Sequence, residues 1–118
     1  MGVLSRLLGP RKTVRKARPQ QEVIVHFLYR STNFQYVYAL EDMLRIAISE
    51  AAAGEYDGRE MADDGSDGKL YMYGPDAEAL YRAINPVLAA CPFIHSATVT
   101  LQFGPPKRKT PKRVIQIP

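Results

Sequence analysis

Apolar and polar positions along this chain recur with two different periods, and each change of period marks a predicted element. The segment EVIVHFLYR, residues 22–30, is rich in β-branched and aromatic residues and predicts a strand buried on both faces. From Asn33 the apolar residues recur at helical spacing, which predicts a helix that ends at a C-cap glycine, Gly54. The predicted apolar face of this helix consists of Val37, Leu40, Leu44, Ala47 and Ala51.

Three more segments alternate with the period of a strand. EYDGREM, residues 55–61, has few apolar residues and an internal glycine, which is typical of an edge or bulged strand. KLYMYG, residues 69–74, places its leucine and methionine on one face and its two tyrosines on the other. SATVTLQFG, residues 96–104, alternates cleanly, with its valine, leucine and phenylalanine predicted to point inward.

A second helix is predicted to begin within GPDAEALYRAI, residues 74–84. Pro75 can occupy the first helical position, and the acidic residues that follow favour the positive helix N-terminus. Pro86 removes a backbone donor, so we expect the helix to break near Asn85.

The resulting order of strand, helix, strand, strand, helix, strand predicts an α+β protein of the ferredoxin-like, split βαβ type. Such a fold has a four-stranded antiparallel sheet with two helices on one face, with its first and third strands central and its second and fourth at the edges. The final RVIQIP, residues 113–118, could add an extra C-terminal edge strand. We therefore expect a basic N-terminal extension (1–20), one ferredoxin-like domain (21–106) and a basic C-terminal tail (107–118).

Part of the chain resembles a known group of proteins. The run GEYDGRE…GKLYMYGPDAEALYRAINPVL…ATVTLQFGPP, most of residues 54–106, is similar to small bacterial ferredoxin-like proteins that share a GE-x-DG strand, a YGPDA-x-AL helix start and an RYGPP-like end. The resemblance implies the fold and no catalytic residues. Gln102 and Phe103 replace the Arg-Tyr pair of that end, so the resemblance implies no role of that pair in this chain.

The net charge of +4 conceals a division between the ends and the middle of the chain. The terminal segments hold eleven basic residues and no acidic one, while the middle holds twelve acidic and five basic residues, a formal charge of −7. Blocks of like charge are typical of solvated tails, with or without a polyanion such as nucleic acid or the ribosome as partner. The predicted polyanion-binding residues are Arg11, Lys12, Arg15, Lys16, Arg18, Lys107, Arg108, Lys109, Lys112 and Arg113.

The acidic, glycine-rich segment DGREMADDGSDG, residues 57–68, raises the alternatives of a metal loop and a hairpin turn. A calcium loop started at Asp63 has Gly74 where the bidentate glutamate is needed. Asp-Gly pairs supply the positive φ angles of tight hairpins. The sequence therefore favours a hairpin and predicts no metal site.

No arrangement of residues predicts catalysis or a cofactor. Cys91 and His95 are four apart, but Pro92 between them disfavours a shared helical face. The chain has no phosphate-binding glycine loop and no nucleophile elbow. A single cysteine and the absence of a long apolar run favour a cytoplasmic protein and disfavour a membrane surface as partner.

The sequence instead predicts a non-catalytic protein-binding module, of the kind formed by inhibitors, immunity proteins or adaptors. One face of the predicted sheet carries no helix, so it is solvated, packs on a tail, or binds a partner or a second copy of the chain. Polyanion binding through the basic ends is the alternative. The predicted partner-binding residues of this face and of the acidic loop are Tyr71, Tyr73, Thr98, Thr100, Gln102, Asp63, Asp64 and Asp67.

Overall fold

The computed structural model describes residues 20–105 and 107–118. Nearly all of the predicted N-terminal extension therefore lies outside the described residues. Within the described part, the chain forms two helices and five strands. In chain order these are β1 (Gln21–Leu28), α1 (Gln35–Glu50), β2 (Glu55–Met61), β3 (Asp67–Gly74), α2 (Ala77–Ala90), β4 (Ala97–Gln102) and β5 (Lys112–Ile117).

The strands form one open antiparallel sheet in the order β2-β3-β1-β4-β5. This confirms the predicted α+β class, and β2 is an edge strand with a bulge between Tyr56 and Gly58. The sheet has a fifth strand in addition to the four of the predicted fold, and this strand, β5, contains most of the segment RVIQIP that was named as a possible extra edge strand. The predicted edge position of β4 is wrong, because β5 pairs with it along its whole length. Ile115 and Ile117 of β5 stabilise this pairing, since both are half-buried against the core.

The core lies between the helices and one face of the sheet. Alternate residues of β1 face the helices, and the antiparallel register places Val23 opposite Met72 and Val25 opposite Leu70. The buried residues of α1 and α2 belong to the same cluster, so both helices cover this face. The largest fully buried side chains are Phe27, Leu44, Ile48, Leu70, Met72, Leu80, Ile84, Leu88 and Leu101.

Helix α1 ends earlier than predicted, and Gly54 is not its C-cap. The C-cap is Ala51, and the next residue, Ala52, turns the chain with a φ of 50°. A Cβ atom on Gly54 would lie 1.9 Å from the carbonyl oxygen of Tyr73. The glycine is therefore needed because β3 approaches its backbone closely.

Helix α2 also differs from its prediction, at its start and at Pro86 in its interior. Asp76 is the N-cap and accepts hydrogen bonds from the amides of Glu78 and Ala79, so Pro75 precedes the helix and does not occupy its first position. The helix passes through Pro86 without a break near Asn85. Pro86 has no N–H to donate to the carbonyl of Arg82, four residues earlier. Arg82 and Pro86 are both exposed, so water can hydrogen-bond to this carbonyl instead.

Candidate functional site

The acidic segment 57–68 forms the end of β2, a tight turn and the start of β3. Asp64 accepts a hydrogen bond of 2.9 Å from the amide of Ser66, and the hydrogen bonds from Ser66 lower the pKa of its carboxyl. Asp67 lies 2.7 Å from Nε2 of His26 on the neighbouring strand. Asp63 is exposed. Within residues 20–105 and 107–118, no three histidine, cysteine or acidic side chains converge so that they could hold a metal ion.

The sheet face without helices, called here the open face, collects the five predicted sheet residues on β3 and β4. Tyr71 and Gln102 are nearly inaccessible, at 8% and 4% exposure, which leaves Tyr73, Thr98 and Thr100 as the half-exposed members. Thr98 also donates a hydrogen bond of 3.1 Å to Gln116 of β5. The rows across β3, β1 and β4 are Tyr73–Glu22–Gln102, Tyr71–Ile24–Thr100 and Lys69–His26–Thr98.

The basic residues predicted to bind a polyanion fall into three groups. Arg11, Lys12, Arg15, Lys16 and Arg18 lie outside the described residues. Lys107, Arg108 and Lys109 are exposed in the turn between β4 and β5, which a backbone hydrogen bond of 3.0 Å from Thr110 to the Lys107 carbonyl closes. Lys112 and Arg113 begin β5, and Arg113 forms an ion pair of 2.8 Å with Glu78 of α2.

A polar cluster that the sequence pattern did not predict is buried between α1 and β2. Glu41, only 2% exposed, accepts hydrogen bonds from the hydroxyl of Tyr56 at 2.6 Å and from Nη1 of Arg59 at 2.9 Å. Burial, and then the charge of Glu41, raise the pKa of Tyr56. The guanidinium of Arg59 also stacks over the ring of Tyr38, 4.6 Å from its centroid. Each carboxylate oxygen has a donor, so the cluster fastens α1 to the edge strand.

The outer surface of the helical layer carries an apolar groove, defined by side chains of α1, α2 and the segment after α2. Its volume is about 500 Å³. The α1 residues at its rim are strongly exposed, with 65% for Tyr36 and 54% for Met43, and Ile46 continues the same stripe at 53%. The residues that line the apolar groove are Tyr36, Ala39, Leu40, Met43, Val87, Ala90, Cys91, Pro92 and Phe93.

The signal for this groove was present in the sequence. Tyr36, Ala39, Met43 and Ile46 recur at intervals of three and four residues, which defines a second apolar stripe beside the core-facing one. A helix with two apolar stripes has more apolar surface than one core contact buries.

Cys91 lies in the wall of the apolar groove and is poorly suited to nucleophilic chemistry. Burial raises the pKa of its thiol, which favours the unreactive protonated form. No hydrogen bond joins Cys91 to His95 in the described part of the chain.

Comparison of the chain with protein-family models and with curated proteins finds no match. The resemblance of residues 54–106 to small bacterial ferredoxin-like proteins accordingly stays a prediction. Neither described helix is long and apolar enough to cross a membrane.

Proposed function

We propose that this protein is a non-catalytic protein-binding module with a ferredoxin-like fold, acting as an inhibitor, immunity protein or adaptor. The sheet order β2-β3-β1-β4, with β5 added outside it and two helices between the strands, supports this fold. The apolar groove is the partner-binding surface in this proposal. The observation that carries it is the exposure of Tyr36, Met43 and Ile46 in one line along α1.

Large exposed apolar side chains in a contiguous patch mark interaction surfaces more often than isolated ones do. Tyrosine, methionine and phenylalanine are also enriched at the centres of protein interfaces. The apolar groove combines Tyr36 and Met43 on one wall with Val87 and Phe93 on the other. Such a cleft between two helices fits an elongated apolar partner surface better than a polar small molecule.

The partner that fits this groove is a basic amphipathic helix of another protein. Its apolar face would insert side chains at positions i, i+3, i+4 and i+7 between α1 and α2. Its basic face would be attracted by the middle of the chain, where all twelve acidic residues lie against five basic ones. Complementary charge speeds such association and suppresses binding of acidic competitors.

The test uses a short peptide helix of leucine and lysine with leucines at the four anchor positions, and a scrambled peptide of the same composition. Titration calorimetry with the full chain should show saturable binding of the first peptide alone. Met43→Glu places a charge in the groove and should weaken binding by about tenfold or more. Ala89→Glu adds the same charge at an exposed α2 position outside the lining and should leave the affinity unchanged.

Two outcomes would move the binding surface elsewhere. If Met43→Glu binds normally while alanine at Tyr73, Thr98 and Thr100 abolishes binding, the open face is the partner surface. If sedimentation shows that the chain dimerises and that Met43→Glu is monomeric, the groove binds a second copy of the protein.

Polyanion binding is the second candidate, supported by Lys107, Arg108 and Lys109. All three are exposed, and none forms an ion pair within the described residues, whereas Arg113 is paired with Glu78. Binding of single-stranded RNA should then fall steeply with salt and weaken when these three residues are replaced by glutamine. Removal of residues 1–18 should weaken it further. Salt-independent binding would contradict this function.

A further inference from the structure

A second, smaller cavity lies where the end of β1 meets the segment between α2 and β4. It has a volume of about 140 Å³ and is called here the Arg30 pocket. Phe93 lines both this pocket and the apolar groove, so the two cavities adjoin. The residues that line the Arg30 pocket are Leu28, Tyr29, Arg30, Phe93, His95 and Ser96.

The polar side of this pocket is held in an unusual backbone conformation. Arg30 and Ser96 both have left-handed φ angles, 63° and 51°, although neither is glycine. Such conformations persist where the surrounding structure enforces them, and they are frequent at binding sites. The amides of Arg30 and Ser31 donate to the carbonyl of Gly65 at 2.6 and 3.1 Å, so the turn between β2 and β3 fixes Arg30.

The groups around the pocket favour an anion. Arg45, Arg59 and Arg113 each have a carboxylate partner, but Arg30 and His95 form no ion pair within residues 20–105 and 107–118. The guanidinium of Arg30 is permanently charged, and the imidazole of His95 carries an N–H in either protonation state. The hydroxyl of Ser96 is a further donor, and no carboxylate is among the described residues that line the pocket.

The remaining walls decide what kind of anion fits. Leu28, Tyr29 and Phe93 are apolar or aromatic, which favours a ligand with an apolar body over a strongly hydrated phosphate. The volume of about 140 Å³ is close to that of an apolar cavity, about 150 Å³, that accommodates benzene in another protein. One ring or one branched alkyl group is therefore the largest apolar body that the pocket takes, and a carboxylate on it would lie at the solvent-exposed side, where Arg30, His95 and Ser96 are.

We propose that the Arg30 pocket binds a monocarboxylate with a compact apolar body, with Arg30, His95 and Ser96 at the carboxylate and Leu28, Tyr29 and Phe93 around the apolar group. Two sources supply this chemistry: a free aryl or branched-chain carboxylic acid, and the C-terminal carboxylate of an apolar peptide. The proposal stands independently of the proposed partner of the apolar groove.

The test is an amide NMR titration of the full chain with benzoate, and with benzamide as the neutral ligand of the same shape. Benzoate should shift the signals of residues 28–30 and 93–96 in a saturable manner, and benzamide should not. Arg30→Gln should weaken benzoate binding by about tenfold or more, since a guanidinium bonded to a carboxylate is the strongest contact in the site. Arg82→Gln removes an exposed arginine of α2 that has no ion pair among the described residues and does not line the pocket, and it should leave binding unchanged.

A titration with N-acetyl-leucyl-phenylalanine, as free acid and as amide, separates the two sources. Tighter binding of the peptide acid than of benzoate, with shifts that extend into the apolar groove, identifies a peptide C terminus. Tighter binding of benzoate identifies a free acid. Equal shifts with benzoate and benzamide, no saturable shift with either acid, or unchanged benzoate binding by a folded Arg30→Gln variant would overturn the proposal.

Discussion

The hydroxyl of Tyr56 in β2 donates a hydrogen bond of 2.6 Å to Oε2 of Glu41 in α1, and both side chains are buried. Arg59 donates to both carboxylate oxygens of the same glutamate, at 2.9 and 3.2 Å. A buried carboxylate is tolerated only when donors replace the water it has lost. Glu41 and Tyr56 therefore join α1 to the edge strand β2, and loss of either side chain should weaken this contact.

Replacing Tyr56 with phenylalanine should lower the free energy of unfolding by roughly 1.5–3 kcal/mol, because a buried charged acceptor loses one donor. Tyr81→Phe is the matched control, since the Tyr81 hydroxyl donates to Asn85 at 3.3 Å in an exposed position. Its effect should be within about 0.5 kcal/mol. Urea denaturation measures both values, and equal losses in the two variants would show that the Glu41 contact contributes little.

The buried hydroxyl of Tyr56 should also make the folded protein less stable at alkaline pH. Burial raises the pKa of Tyr56 above the ordinary value of 10.0, so the folded protein retains a proton that the unfolded chain releases above this pH. Stability is therefore fully present below pH 10.0 and falls as the pH rises further, with a limiting slope of about 1.4 kcal/mol per pH unit for one proton.

Urea denaturation at about pH 9 and about pH 11 tests this dependence. The loss of stability between the two should be smaller in Tyr56→Phe than in the wild-type chain, whereas Tyr81→Phe should resemble the wild type. The same loss in Tyr56→Phe and the wild type would assign the alkaline sensitivity to other groups. One such group is Tyr29, because burial raises its pKa as well.

The turn between β2 and β3 should not accept a side chain at Gly65. This residue has a φ of 73°, and a Cβ atom would lie 1.8 Å from the carbonyl oxygen of Ser31. Gly65→Ala should lower the free energy of unfolding by more than about 1–2 kcal/mol, the usual penalty of the left-handed conformation, because the backbone must also move. Gly104→Ala is the control, since its Cβ would meet only a methyl group, at 3.5 Å. Thermal melting of both variants checks this, and a Gly65→Ala variant as stable as the control would contradict it.

Strand β5 should contribute stability through its two half-buried isoleucines far more than through its ion pair. Deleting residues 112–118 should remove about 2–4 kcal/mol, because Ile115 and Ile117 leave the core and β4 becomes an open edge. Arg113→Gln should change stability by less than about 1 kcal/mol, because its bond to Glu78 is half-exposed. Chemical denaturation with and without added salt separates the two effects. A large, salt-sensitive loss in Arg113→Gln would show that the ion pair dominates.

The strand and helix order was predictable because neighbouring residues determine it. Period-two alternation in KLYMYG placed Leu70 and Met72 opposite the tyrosines, and the structure has the same arrangement. Asp-Gly pairs favoured a tight turn within 57–68, and the chain turns there. Alternation and turn residues act on neighbouring positions, so they predict a strand or a turn regardless of which element packs against it.

The errors arose where a distant part of the chain determined a residue's environment. Glu41 is absent from the predicted apolar face of α1, yet it is buried, because Tyr56 and Arg59, more than ten residues away, supply the donors that permit its burial. Gly54 is required by the approach of β3 and not by the helix end. The apolar stripe of Tyr36 and Met43 was readable in the sequence, but only the packing of α2 beside α1 made it a groove.

By itself, then, the sequence determined the order of helices and strands, the alternation of the strands and the separation of charge, because these depend on residue type and spacing along the chain; the core face of α1 was predicted only in part, since Ile48 is buried and Ala51 is exposed. Only the tertiary structure decided which polar groups could be buried, where the sheet ends, and that Arg30 and His95 share one pocket. These properties depend on contacts between residues far apart in the chain, and no local pattern encodes those contacts.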